Sequence, residues 1–329
     1  MLLDKGKSSG FILAFSLILL IFIALPFFID LFYQTFLTEL FVWMLFAISF
    51  DLIFGYTGLL SFGQALFFGL GGYSVAIAIM RFGLNSGIGL LLSVIVPIFF
   101  ACFVGYFSVK LTGIHFVIIT IIFALMGSTL GETWTWLTGG ADGLNFLPPP
   151  IQVGLFQIDV MDIKSNYYLV LFFAATTYLF LRRMVHSPLG KVFISIRENE
   201  DAAEAIGINT FKYKVISMSL STLIAGVGGG LFSFYIASYY YYVPFDLGWA
   251  FDPVLISFIG GAGTVIGPLL GSIVFVILKE IFAISLGQMN VLIFGVVFIF
   301  TVLFFPKGII GIAKFLRKKK SSVASVKET

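Results

Sequence analysis

The sequence predicts an all-α polytopic membrane protein of about eight to ten transmembrane helices, with Gly-broken segments and two pseudo-symmetric halves. Three observations carry that expectation. First, 60% of the 329 residues are hydrophobic and only 11% are charged, where a soluble domain carries about 25% charged residues. Second, six intervals contain no Asp, Glu, Lys or Arg: Lys7 to Asp30, Asp51 to Arg81, Arg81 to Lys110, Lys214 to Asp246, Asp252 to Lys279 and Glu280 to Lys307. Each exceeds the roughly 20 residues that a helix needs to cross hydrocarbon. Third, these runs do not alternate apolar with polar, which excludes the strands of a membrane barrel.

In chain order the spans fall at roughly 11–29, 33–54, 59–80, 88–110, 114–130, 166–181 and 214–237, then a broken segment over 251–280 and a last span at 289–305. The first follows Lys5 and Lys7. Leu25-Pro26-Phe27 offers no small-residue cleavage site, so this span reads as a retained helix. The bias of Lys and Arg towards the cytoplasm sets the orientation. With the N-terminus inside, loop 182–213 is cytoplasmic and loop 131–165 extracytoplasmic. Of the 19 Lys and Arg, all but Arg81, Lys164 and Lys279 then face the cytoplasm. The inverted orientation strands nearly all of them. Residues 1–312 form one integral membrane domain, and 313–329 a basic cytoplasmic tail containing "KFLRKKK" (314–320).

Parity constrains the broken segment. The tail and loop 182–213 share a side, and spans 214–237 and 289–305 already supply two crossings. Segment 251–280 therefore crosses twice or not at all. It is too short for two full helices at about 1.5 Å per residue, and "FIGGAGTVIGPLLG" (258–271) interrupts it. A hairpin of half-length helices fits. The competing reading is one ordinary helix with a boundary misplaced elsewhere.

A second Gly-interrupted stretch, "FGYTGLLSFGQALFFGLGGY" (54–73), lies in the first half. Paired interruptions of this kind mark midplane pathways in transporters built from repeats, because lipid cannot satisfy backbone freed from a helix. The candidate pathway residues are Gly58, Ser61, Gln64 and Tyr73 in the first stretch and Gly260, Gly263 and Gly267 in the second. Glycines that only allow close helix packing are the alternative. For "AGVGGG" (225–230) packing is the preferred reading.

The stretch "SPLGKVFISIRENEDAAEAIGI" (187–208) stands out as a dense charged cassette. Ser187 suits an N-cap and Pro188 the first helical position. Leu189, Val192, Phe193 and Ile196 make one apolar stripe, so 187–197 reads as an amphipathic helix on the membrane surface. Asn199 can cap a second short helix with Glu200 and Asp201 at its positive end. Ala202, Ala203 and Ala205 favour helix, and Gly207 ends it. A solvated loop is the bland alternative. Long loops in compact proteins are usually functional or disordered, and the caps argue against disorder.

The cassette resembles the cytoplasmic coupling loop of LivM-type permeases, the membrane subunits of ABC importers for branched-chain amino acids. "GYTGLLSFGQALFFGLGGY", "LTGIHFVIITIIFALM" (111–126), "TGGADGL" (138–144), "GGAGTVIGPLLGS" (260–272) and "LFFPKGIIG" (303–311) resemble that family's other landmarks, in the same order. The resemblance covers roughly residues 45–312. Asp201-Ala202-Ala203 followed by Gly207 also resembles the wider importer motif, with Asp in place of Glu.

The resemblance implies a second, LivH-type permease subunit, two cytoplasmic ABC ATPase subunits and an extracytoplasmic solute-binding protein. It implies that this chain binds no cofactor, while ATP and Mg act on the partner ATPases. It assigns ATPase coupling to Ser187, Arg197, Glu198, Glu200, Asp201, Ala202, Ala203, Glu204 and Gly207. It places the protein in the cytoplasmic (inner) membrane, carrying branched-chain or other apolar amino acids inward. Relatives in the same family carry urea or short amides.

Other classes are weaker. "GKSS" (6–9) lacks the upstream glycine of a phosphate loop, and the glycine run at 226–230 breaks off at Leu231, short of a dinucleotide fingerprint. One cysteine, Cys102, excludes an internal disulfide. His115 and His186 are far apart, no nucleophile–base set is evident, and nothing suggests nucleic acid. An ion-coupled secondary transporter needs buried ionisable groups. Glu39, Asp51 and His115 are the candidates, and all three sit near span ends, where they read as interfacial or capping residues. A passive channel leaves the charged cassette unexplained.

Overall fold

The computed structural model describes residues 5–153, 156–245, 247–286, 290–304 and 308–311, so the basic tail 313–329 lies outside the described residues. The chain is a bundle of helices. They are α1 (Lys5–Ala24), α2 (Leu31–Asp51), α3 (Gln64–Met80), α4 (Ser86–Ser108), α5 (Ile114–Thr133), α7 (Ile163–Val185), α10 (Thr210–Ile236), α12 (Leu247–Gly260), α13 (Gly267–Leu286) and α14 (Asn290–Phe304). Short helices α6 (Thr135–Thr138), α8 (Pro188–Glu198), α9 (Glu200–Ala205) and α11 (Tyr242–Phe245) lie at the ends of the bundle. Among the described residues, five helices are long and apolar enough to cross a membrane: α2 with its extension to Tyr56, α4, α5, α7 and α10. Outside the broken segment the expected spans match the helices to within about four residues, except that α1 runs 5–24 where 11–29 was expected and α3 starts at Gln64 and not at 59.

Local chemistry sets the boundaries. Asn85 Oδ1 accepts from the Gly87 and Ile88 amides at the start of α4, Asp162 from Ser165 at the start of α7, and Asn209 from Lys212 at the start of α10. Each satisfies orphan donors of a first turn. Pro26 marks the tight turn between α1 and α2.

Helices α2 and α10 form the centre. Of their most apolar stretches, 83% and 72% of residues are buried, against 28% in α4 and in α5, which are therefore peripheral. Two glycine contacts explain how α10 fits against α3. Gly71 faces the backbone of Gly226, and Gly229 faces the Phe68 carbonyl. A side chain at either position meets backbone, so the packing reading of "AGVGGG" holds.

The broken segment is a hairpin. Gly260 lies against the Gly267 backbone and Gly271 against the Ile256 carbonyl, a register that only antiparallel limbs give. The single-helix alternative is thereby ruled out. Limb α12 has 14 residues, about 21 Å at helical rise and short of the roughly 30 Å hydrocarbon layer, but α13 has 20 residues, about 30 Å, so only one limb is of the expected half length. Gly308 returns to the same end, against Gly261 and Phe258.

At the far end the chain is folded. Strand β1 (Leu144–Asn145) pairs with β4 (Ser238–Tyr239), and β2 (Ile151–Val153) pairs with β3 (Phe156–Ile158), both antiparallel. The far-end loop is thus pinned to the segment that follows α10.

Candidate functional site: a charged cassette seated on two helix breaks

The cassette folds as two short capped helices. Ser187 Oγ accepts from the Gly190 amide at 3.4 Å, and Pro188 opens α8. Asn199 Oδ1 accepts from the Ala202 amide at 3.0 Å and opens α9. Gly207 follows in a left-handed conformation, φ 89°. The apolar stripe of α8 does not face lipid, which corrects the expected surface helix. Phe193 and Ile196 are buried against the bundle, and Leu189 and Val192 are half-buried. Burying such a stripe on the bundle's own helices fixes the position of α8 firmly.

Two of the acidic residues of α9 turn back to the bundle. Glu200 forms an ion pair with Lys214, whose side chain is buried, and the Thr210 hydroxyl donates to Glu204. Both partners belong to the first turn and a half of α10. Ala203 is buried, while Asp201, Ala202 and Gly207 are exposed. Between them Ile206 is 77% exposed, a large aliphatic side chain at the tip of the cassette.

Beneath α8 lie the two helix breaks. Helix α2 does not stop at Asp51. It widens into a single π-type turn, Leu52–Tyr56, and such turns cluster at functional sites. Residues 57–63 are then irregular before α3 begins. The Thr57 and Ser217 hydroxyls meet at 2.6 Å, and the Phe62 amide donates to Thr120 Oγ1 at 3.2 Å. Arg197 Nη1 donates to the Gly55 carbonyl at 2.5 Å, while its other nitrogens reach Glu198. Gly58, φ 81°, packs on the Arg197 stem. From the second break, the Gly263 amide donates to Asp51 Oδ1 at 2.7 Å.

The expected pathway residues separate into groups. Gly58 and Gly263 meet at Arg197. Gly260 and Gly267 face each other inside the hairpin. Ser61 and Gln64 are buried at the start of α3, and both amide atoms of Gln64 lack hydrogen-bond partners. Tyr73 lies nine residues further along α3, about 14 Å away. It lines a cavity of about 250 Å³ with Leu66, Leu70, Phe123, Gly127 and Phe245. Its ring stacks on Phe245 and meets Tyr239 edge-on.

Asp51 is fully buried at the end of α2, where the π-type turn begins. Two expectations about ionisable groups need correction. Glu39 is not a cap. Its Oε1 pairs with Lys279 Nζ at 2.6 Å and accepts from Trp43 Nε1 at 3.1 Å. Lys279, expected outside, sits in α13 with its ammonium 4.9 Å from the Trp43 ring centre. His115 is exposed in the first turn of α5.

The description of a known family, "Branched-chain amino acid transport system / permease component", matches residues 32–302. The chain belongs to that family. The permease is 23% identical to the high-affinity branched-chain amino acid transport system permease protein LivM of Salmonella typhimurium, over 93% of its own length and 76% of the relative's. It is 22% identical to LivM of Escherichia coli, over 86% and 71%. A probable branched-chain amino acid transport permease protein LivM of Methanocaldococcus jannaschii is 28% identical over 48% of the permease and 51% of the relative. No solved structure matches the permease significantly.

Four residues that organise the permease at this end were not among the candidate site residues: Asp51, weighed only as an ionisable group, Gly55, Ile206 and Lys214. Gly55 stood inside a quoted motif, and its spacing of four from Asp51 puts both on one helix face. Asp51 carried a signal as a carboxylate within an apolar run. Ile206 and Lys214 carried none, because their partners or exposure depend on tertiary placement.

Proposed function

We propose that this permease is the transmembrane subunit of an ABC importer that moves branched-chain or other apolar amino acids inward. The observation that carries the proposal is the cassette: two capped helices, braced on α10 and presenting Ile206, Asp201 and Ala202 outward. That is the form a docking element needs, with a rigid base and an exposed aliphatic tip. Two ATPase subunits bind the cassettes of this chain and of a second, LivH-type permease, and they alone bind ATP and Mg. The protein resides in the inner membrane with both termini and the cassette in the cytoplasm. A solute-binding protein docks at the far end, where Trp134, Trp136 and Leu147 are exposed beside the pinned strands.

The apolar cavity at Tyr73 supports an aliphatic substrate over urea or a short amide, which needs several convergent hydrogen-bond partners. The test is uptake of labelled leucine by vesicles holding the reconstituted complex, with urea and acetamide as competitors. Leucine uptake is expected to require ATP and the binding protein and to resist both competitors. Competition by urea at the concentration of leucine would reassign the substrate, and ATP-independent uptake would reject the importer.

A further inference from the structure

We infer that the Arg197 guanidinium is the joint through which movement of the cassette reaches both helix breaks at once. The inference rests on the coupling reading above and adds the route. Arg197 occupies the last turn of α8, two residues before the Asn199 cap of α9. A tilt of α9 therefore moves Arg197 directly. Its Nη1 bonds the Gly55 carbonyl in the π-type turn of the first break. The same atom lies against Gly263 of the second break, where an added Cβ would meet it at 3.0 Å. Gly263 is tied in turn to Asp51, one helical turn before Gly55.

Three segments distant in sequence thus share one cation. The Asp51 side chain is fully buried, with Oδ1 bonded to the Gly263 amide and Oδ2 unpartnered. A buried carboxylate bonded through one oxygen costs free energy relative to full satisfaction. It is thus suited to exchange partners when the joint shifts, as a two-state element requires. Glycine at 55, 58 and 263 leaves room for the arrangement. A side chain at Gly55 would strike the Asp51 carboxylate, and one at Gly58 the Arg197 stem.

The test uses the full complex with its ATPase subunits in vesicles. Cys102→Ala removes the native thiol, and Ala262→Cys places a reporter in the second break. The reporter's labelling rate by a maleimide is measured without nucleotide and with ATP plus vanadate. With Arg197 intact the two rates are expected to differ by about fivefold or more, the low end of typical coupling. With Arg197→Ala the difference disappears while the ATPase subunits still copurify. Asp51→Asn, which keeps an acceptor for the Gly263 amide, preserves the difference, and Asp51→Leu abolishes it. An unaltered difference in Arg197→Ala overturns the joint. Loss of the ATPase subunits from Arg197→Ala also overturns it, by making Arg197 a docking contact. No difference with Arg197 intact instead overturns the coupling reading on which the joint rests.

Discussion

Single residues at the cassette divide into those that hold it and those that it offers. Lys214 and Glu200 hold it, and they are not equivalent: the lysine side chain is 3% exposed and the glutamate 32%. Glu200→Ala leaves a buried ammonium with no counter-charge, a loss of about 3 kcal/mol or more. Lys214→Met puts an apolar chain in an apolar place and leaves a carboxylate that water can reach, so it is close to neutral. Thermal unfolding in detergent should therefore rank Glu200→Ala well below Lys214→Met. Equal losses would mean that the pair is not buried as described. Ile206 is the residue offered. Ile206→Asp should weaken binding of the isolated ATPase subunit by about tenfold or more, as for a central apolar contact, whereas Ile206→Leu should bind normally. The measurement is equilibrium binding to the permease in nanodiscs.

At the scale of elements, α3 and α10 touch backbone to backbone, and that contact makes a direct prediction. Gly229→Leu forces the helices apart and should cost more than the roughly 1–3 kcal/mol of ordinary overpacking. Gly295 of α14 has no atom near its would-be Cβ, so Gly295→Leu is the neutral control in the same thermal assay. The helices themselves were legible in the sequence because their cause is local: uncharged runs, caps at Ser187 and Asn199, and Gly-Pro interruption of 258–271. Parity of the charged loops favoured a hairpin there over one ordinary helix. The π-type turn at 52–56 was not legible, since nothing in "LIFGY" distinguishes it from one more helical turn. Its cause lies in Gly263 and Arg197, more than 140 residues away. The stripe of α8 was read correctly as a stripe and assigned to the wrong neighbour, because periodicity fixes a face and not what covers it.

Across the whole molecule, charge bias orients loops but says nothing of charges that pair inside the bundle. Lys279 illustrates the limit: it was set aside as a cation off the cytoplasmic side, and its partner Glu39 lies 240 residues away. A separation of 212 residues from Gly263 likewise kept Asp51 out of the candidate site. The Glu39–Lys279 pair also separates the two transport mechanisms. In an ion-coupled carrier a carboxylate within the bundle takes up and releases the driving proton, so a folded protein without it cannot transport. In an ATP-driven importer the pair only neutralises two charges that α2 and α13 carry into an apolar region. Lys279→Met leaves Glu39, 18% exposed, without its counter-charge and should cost more than Glu39→Gln, which leaves a lysine that is 39% exposed. The double variant removes both charges. It should regain stability, with an interaction energy of about 1–3 kcal/mol in the double-mutant cycle. It should also keep ATP-driven leucine uptake in vesicles that hold no proton gradient. Recovery of stability with no recovery of uptake would move the driving force from the partner ATPases to the carboxylate of α2.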